Sequence, residues 1–292
     1  MKLFKAFFHL SKPEITLMVL VSTWFGFYAG MTKVKQTIYD FELLSIISLI
    51  LGSLLSSCGA AALNEFFESD LDKLMDRTKN RPIPSGDISP KTGLIFGIVT
   101  SILGVLTLWI FVNRGAAILS ISTLILYLFI YTPLKQKTPL NTIVGALPGA
   151  IPPLGGWYTA TGNLGKEAWI LFAILFTWQI PHFFSIAWIY RKDYAKGGFK
   201  MYSDKTSLMT FRVYIFIFTF LMLYYSTLPT LVGISGTFYL LTSMILGVFF
   251  FFSSMTFIVK QNGKNAKYLL KTTIFYLPLL LLIFIIDTSF FH

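Results

Sequence analysis

LLSIISLILGSLLSSCGAAALNEFFESDLDKLMDRTKNRPIPSG, residues 43–86, begins as a membrane span and ends as a charged loop. Residues 43–64 carry no charged side chain, and an apolar run of about 20 residues is what a helix needs to cross a bilayer. The character then inverts. Glu65, Glu68, Asp70, Asp72 and Asp76 follow within the stretch, and Asp87 lies just beyond it. Asn64, Glu68, Asp72 and Asp76 recur at every fourth position, so a helix continued through them carries all four on one face. Unopposed acids stacked in this way repel by roughly a few tenths of a kcal/mol per neighbouring pair. A divalent cation on that face makes the arrangement favourable. Carboxylate and amide oxygens are the ligands Mg²⁺ takes, completed by water and substrate phosphate. Arg77, Lys79 and Arg81 come next and suit the outer oxygens of a diphosphate. A solvated acidic loop with basic neighbours is the plainer alternative.

Outside this stretch the chain is mostly apolar. Of 292 residues 55% are hydrophobic and only 13% charged, with a mean hydropathy of +0.69, whereas soluble domains carry about 25% charged residues. The expected fold is therefore all-α, a polytopic membrane protein forming one domain over 1–292. Apolar windows fall near 15–31, 43–64, 92–112, 115–133, 140–160, 167–189, 210–229, 236–259 and 269–287, which predicts nine transmembrane helices. Only Asn113 and Arg114 separate the third from the fourth, so these two form a tight hairpin. The fifth window contains Pro148, Pro152 and Pro153. A helix interrupted in this way is tolerated in a membrane only where protein or a cavity surrounds its backbone.

Charge placement gives the orientation. Of the 24 Lys and Arg residues, 20 fall at the N-terminus or in every second loop, and the other loops share four. By the positive-inside rule the N-terminus and both long charged loops, about 65–91 and 190–209, are cytoplasmic and the C-terminus is outside. The net charge of +11 thus reflects topology and not a nucleic-acid partner. The single cysteine, Cys58, excludes an internal disulfide, and the three histidines offer no clustered metal site. No small-residue cleavage pattern follows the first apolar run, so that run is read as a retained span. A transporter with acidic gates would place its ionisable residues near the midplane, whereas here they gather at one membrane face.

The second charged loop opens with IYRKDYAKGGFKM, 189–201. A helical extension over 190–196 would put Tyr190, Asp193 and Tyr194 on one side. A lone aspartate at a helix end is ordinarily just solvated, but here it lies on the same membrane face as the first acidic stretch.

At these residues the chain resembles the UbiA-type intramembrane prenyltransferases, and among them the protoheme IX farnesyltransferases, also called haem O synthases. The resemblance rests on Asn64, Glu68 and Asp72 at four-residue spacing, then Met75-Asp76-Arg77-Thr78 and Asn80-Arg81-Pro82. It extends to Ser11-Lys12-Pro13-Glu14, Tyr131-Thr132-Pro133-Leu134-Lys135, Gly149 through Trp157, Trp178-Gln179-Ile180-Pro181-His182-Phe183, and Asp193-Tyr194 through Met201. It covers about 11–201 and leaves the last three helices without diagnostic residues. Glu68 stands where the family usually has Asp, and Gly197–Gly198 interrupt the second motif.

The resemblance implies a UbiA-like bundle around a central cavity open to the cytoplasmic side, in a bacterial inner membrane. It implies farnesyl transfer from farnesyl diphosphate to a vinyl group of haem B, with Mg²⁺ as cofactor and a haem A synthase as a candidate partner. Asn64, Glu68, Asp72 and Asp193 would hold the metal. Arg77, Lys79, Arg81, Lys135, Lys196 and Lys200 would hold diphosphate. Tyr190, Tyr194, Trp157 and Tyr131 are aromatic candidates for stabilising an allylic cation. Trp157 and His182 are candidate haem contacts. His182 follows Pro181 within an apolar segment and could instead bond the carbonyl that proline frees, although intramembrane ionisable groups default to function. The same scaffold could prenylate an aromatic quinone precursor, and only the stretches around Trp157 and His182 favour haem.

Overall fold

The computed structural model describes residues 2–201 and 208–291. Lys205 and the 202–207 part of the second charged loop lie outside the described residues, as does His292. All regular structure among the described residues is helical. In order come α1 Lys2–Leu10, α2 Pro13–Val34, α3 Leu43–Asp72, α4 Pro82–Ser85, α5 Pro90–Phe111 and α6 Arg114–Ile125. A π-helical turn, Leu126–Tyr131, joins α6 to α7 Thr132–Lys137. Then follow α8 Asn141–Ala150, α9 Pro152–Thr161, α10 Lys166–Ile189, α11 Arg191–Lys196, α12 Leu208–Leu231, α13 Thr237–Val259 and α14 Gly263–Phe290.

Among the described residues eight helices are long and apolar enough to span a bilayer, against nine windows in the sequence. The fifth window is two ten-residue helices, α8 and α9, meeting at Ile151. Pro152 has no N–H to continue the ladder, and its ring excludes the carbonyl four residues earlier. At the first position of a new helix neither defect costs anything. Exposed apolar side chains such as Ile102, Leu106 and Ile110 of α5, and Phe249 and Phe252 of α13, are what lipid-facing helices present. The protein is an integral membrane protein.

The helices pack as two units, Met1–Asn163 with Lys192–Lys200, and Leu164–Arg191 with Met201–His292. In the first, α3 and α5 run antiparallel through small residues. A Cβ on Gly59 would sit 2.7 Å from the Gly97 carbonyl oxygen, and one on Gly104 would sit 2.7 Å from that of Gly52. Lipid offers helices no hydrophobic reason to associate, so close backbone approach supplies the attraction instead. Gly59→Ala is expected to cost about 1–3 kcal/mol through overpacking, read as a lower melting temperature in detergent. An unchanged melting temperature would mean the two helices are not held this close. Helix α9 lies on α2 by the same device, with Gly156 against the Thr23 carbonyl.

Helix α1 buries Ala6 and Leu10 against Ala62, Ile83 and Ile88, leaving Leu3, Phe4 and Phe8 exposed. The chain then turns through Lys12, whose φ of 44° is left-handed, and enters α2. In the second unit aromatic rings fill the core, with Phe211 and Phe257 5.7 Å apart and Phe250 and Tyr276 5.1 Å apart. Asp287, buried in α14, accepts the backbone N–H groups of Gly236 and Tyr239 and so closes the start of α13.

Candidate active site

Helix α3 continues beyond its apolar part to Asp72, which puts Asn64, Glu68 and Asp72 one above another on one face. All three are buried, at 2%, 4% and 1% exposure. The row stops there. The Asp72 carbonyl accepts the Thr78 hydroxyl at 3.0 Å and the Met75 N–H at 3.2 Å, which closes the helix. Asp76 therefore leaves the row that its four-residue spacing predicts and stands on the surface.

Nor are the acids unopposed. Lys12 Nζ donates to Asn64 Oδ1 at 2.8 Å, Lys135 Nζ pairs with Glu68 Oε1 at 2.7 Å, and Arg81 Nη1 donates to Asp72 Oδ2 at 2.7 Å. Each cation arrives from a different part of the chain, so the helix meets no net like-charge repulsion along this face. Burial lowers the Lys12 pKa to about 7, helped by nearby Arg81 and opposed by Glu65 and Glu68. Glu65, fully buried, accepts the Ile83 N–H at 2.9 Å and so fastens the Arg81-Pro82-Ile83 turn from which Arg81 reaches Asp72.

Above the row, the π-helical turn stacks Tyr127 on Tyr131 with centroids 5.6 Å apart. It also brings Lys135 Nζ to 4.6 Å from the Tyr131 ring centre. The segment 192–200 docks against the loop that follows α3. Asp193 Oδ2 accepts the Arg77 backbone N–H at 3.0 Å, and Arg77 Nη2 donates to the Tyr194 hydroxyl at 3.4 Å. Lys196 and Lys79 both bond Asp76, at 2.6 Å and 2.9 Å, and these hydrogen bonds, Lys196 first, hold the Asp76 carboxyl down at about 2. The Lys200 N–H bonds the Lys135 carbonyl at 2.8 Å, and its own carbonyl accepts from Asn141 Nδ2 at 2.7 Å. Asp193, which the sequence reading places opposite the row as a metal ligand, is here a backbone anchor between the two charged loops.

Helix α11 begins at Arg191, after Tyr190 has ended α10, so the predicted extension starts one residue later and omits Tyr190. Trp157 is 1% exposed with no hydrogen-bond partner for its indole Nε1. In the second unit, His182 Nδ1 lies 2.8 Å from the Thr273 hydroxyl and not on the carbonyl that Pro181 frees. The Thr273 proton is committed to the Leu270 carbonyl at 2.7 Å. With that proton so placed, Nδ1 is the donor and Nε2 keeps a lone pair. Trp178 donates to the Thr273 carbonyl and stacks on His182, with centroids 5.0 Å apart.

Among the described residues no three His, Cys, Asp or Glu side chains form a metal cluster. The Asn64 amide is nonetheless oxygen-bearing, and Asp72 Oδ1 and Glu65 Oε2 are buried without hydrogen-bond partners. A buried carboxylate oxygen left without a donor is costly, and a hard oxygen-seeking cation would satisfy it. The donor set therefore fits such an ion. Lys12, Glu65, Tyr127 and Thr132 are site residues to which sequence reasoning assigns no role. The first lies inside the Ser11–Glu14 motif and counts toward the topological charge, and the last lies inside the Tyr131–Lys135 motif.

The sequence profile of the UbiA prenyltransferase family matches residues 19–280. The Protoheme IX farnesyltransferase of Solibacter usitatus (strain Ellin6076) is 39% identical over 286 residues, covering 96% of this chain and 98% of that protein. That of Salinibacter ruber (strain DSM 13855 / M31) is 38% identical, covering 95% and 96%. Among solved structures, a digeranylgeranylglyceryl phosphate synthase superposes with a TM-score of 0.78 at 18% identity over 99% of both chains. A UbiA homolog from Archaeoglobus fulgidus bound to GPP and Mg²⁺ gives 0.66 at 14%, over 97% of this chain and 99% of that one. At such identities these two likenesses bear on the fold alone. With the profile spanning most of its length and full-length relatives above 30% identity, the chain belongs to the UbiA prenyltransferase family.

Proposed function

We propose that the protein transfers the farnesyl group of farnesyl diphosphate to a vinyl carbon of haem B, yielding a hydroxyethylfarnesyl haem and diphosphate. One observation carries this reading: the buried row Asn64–Glu68–Asp72, with Asp72 Oδ1 unbonded, in a chain whose full-length relatives bear the name Protoheme IX farnesyltransferase. Asn64, Glu68 and Asp72 would hold Mg²⁺, with Asp193 supplied from the second loop. Bound there, the ion would offset the negative charge that grows on the departing diphosphate.

The chain's own residues supply the remainder. Arg81, Lys135 and Lys12 already lie against the row, and they donate to the diphosphate oxygens as these come in. Arg77, Lys79, Lys196 and Lys200 add positive charge from the two docked loops. The C–O bond of the diphosphate breaks, and the allylic cation left on the farnesyl carbon faces aromatic rings, Tyr131 and Tyr194 first. Such a face is worth about 0.5–2 kcal/mol to a cation. The vinyl carbon then forms the new C–C bond. Water adds to the cation so created beside the porphyrin, and a proton leaves to give the hydroxyl. His182, with Nε2 able to ligate, is the candidate contact to haem iron, and the positive bias of the loops supports a cytoplasmic face for this chemistry.

Incubating the purified protein with haem B, farnesyl diphosphate and Mg²⁺ is expected to raise the haem mass by one farnesyl group plus one hydroxyl. Unmodified haem, alongside transfer to an added hydroxylated aromatic acid, would assign the enzyme a different acceptor.

A further inference from the structure

Asn64 can serve an incoming cation only if its amide oxygen, and not its NH₂, faces the row. An amide rotates freely, and the wrong face would present hydrogens to a positive charge. We infer that Thr132 is a positioning residue that fixes this orientation, an inference that rests on reading the row as a divalent-metal site.

The argument is one of committed protons. Thr132 is the first residue after the π-helical turn, and both its N–H and its hydroxyl go to the Tyr127 carbonyl, the hydroxyl at 2.8 Å. Its only proton spent, the Thr132 oxygen can do nothing but accept, and it accepts from Asn64 Nδ2 at 3.2 Å. On the other side stands Lys12 Nζ, which in its protonated form has no lone pair and requires an acceptor, and it meets Oδ1 at 2.8 Å. The two neighbours select the same orientation independently.

The π-helical turn is what makes this possible. Its hydrogen bonds reach one residue further back than those of an α-helix, which rotates everything downstream by about 100°. Without that extra residue, Thr132 would have turned away from α3. Thr132 and Asn64 are 8% and 2% exposed, so no solvent stands ready to replace the lost acceptor. Outer hydrogen bonds of this kind typically govern metal affinity by about 10- to 100-fold when removed.

The test is binding of Mn²⁺, as a spectroscopic stand-in for Mg²⁺, to the detergent-solubilised full chain with farnesyl thiodiphosphate, followed by electron paramagnetic resonance. Thr132→Val, which keeps the shape and removes the acceptor, is expected to weaken Mn²⁺ binding by about tenfold, while Thr132→Ser keeps it. The deciding measurement uses Asn64→Asp, because a carboxylate presents an oxygen whichever way it turns. In that background Thr132→Val should cost less than about twofold, the sign of a lost orienting bond and not of a damaged fold. An equal loss in both backgrounds, or undiminished binding by Thr132→Val alone, overturns the proposal while leaving the metal reading intact. Failure of the unaltered protein to bind Mn²⁺ overturns both.

Discussion

Replacing Asp72 by asparagine is expected to lower the rate of diphosphate release by about 10³-fold, the scale seen when one preorganised charge-stabilising group is removed from a buried site. The substitution keeps the size of the side chain and an acceptor for Arg81. It removes the negative charge that Asp72 Oδ1, buried and without a donor, can offer a metal. The pair it disrupts is largely buried, with side-chain exposures of 24% for Arg81 and 1% for Asp72. Leaving one partner of a buried pair alone costs about 3–5 kcal/mol, so inactivity of the single variant could be read as unfolding. The double variant Asp72→Asn with Arg81→Gln leaves no unmatched charge. It should recover most of the melting temperature and remain inactive. A double variant that regains stability and activity together would show that the chemistry needs neither Asp72 nor Arg81.

Asp193 poses the opposite problem, because in this structure its carboxylate already has a task. Asp193 Oδ2 accepts the Arg77 N–H and so helps fasten the 192–200 segment across the loop after α3. Two substitutions separate that task from metal binding. Asparagine can still accept the N–H but carries no charge, whereas alanine can do neither. If Asp193 also meets the metal–diphosphate complex, both variants should lose on the order of 10²-fold or more in kcat, with asparagine no better than alanine. An asparagine variant close to the unaltered enzyme, beside a crippled alanine variant, would confine Asp193 to loop anchoring.

Much of the fold could be read directly because a bilayer is an unforgiving solvent. A backbone that must satisfy itself within lipid becomes a helix, and runs such as 43–64 or 236–259 leave little choice. The exception was the fifth window, where composition signals a span but Pro152 restarts the helix. At the site, the four-residue spacing correctly put Asn64, Glu68 and Asp72 on one face. It overshot at Asp76, because the end of α3 depends on Thr78 folding back onto the Asp72 carbonyl. What remained hidden was every pairing between distant positions. Lys12 with Asn64, Lys135 with Glu68, and Arg77 with Asp193 join residues 52 to 116 positions apart. No local pattern encodes such contacts. Lys12 belongs to the Ser11–Glu14 motif and counts as a cytoplasmic charge, and neither signal points to its contact with Asn64.

LYLFIY, the sequence of the π-helical turn from Leu126 to Tyr131, gives no hint of its widened winding. Its effect reaches into any comparison with other proteins. A relative whose helix lacks the widening needs a one-residue gap opened here before the two chains are aligned. Without the gap, Thr132 and Lys135 would each be matched to a neighbour of the true counterpart, and a preserved residue would be scored as a substitution.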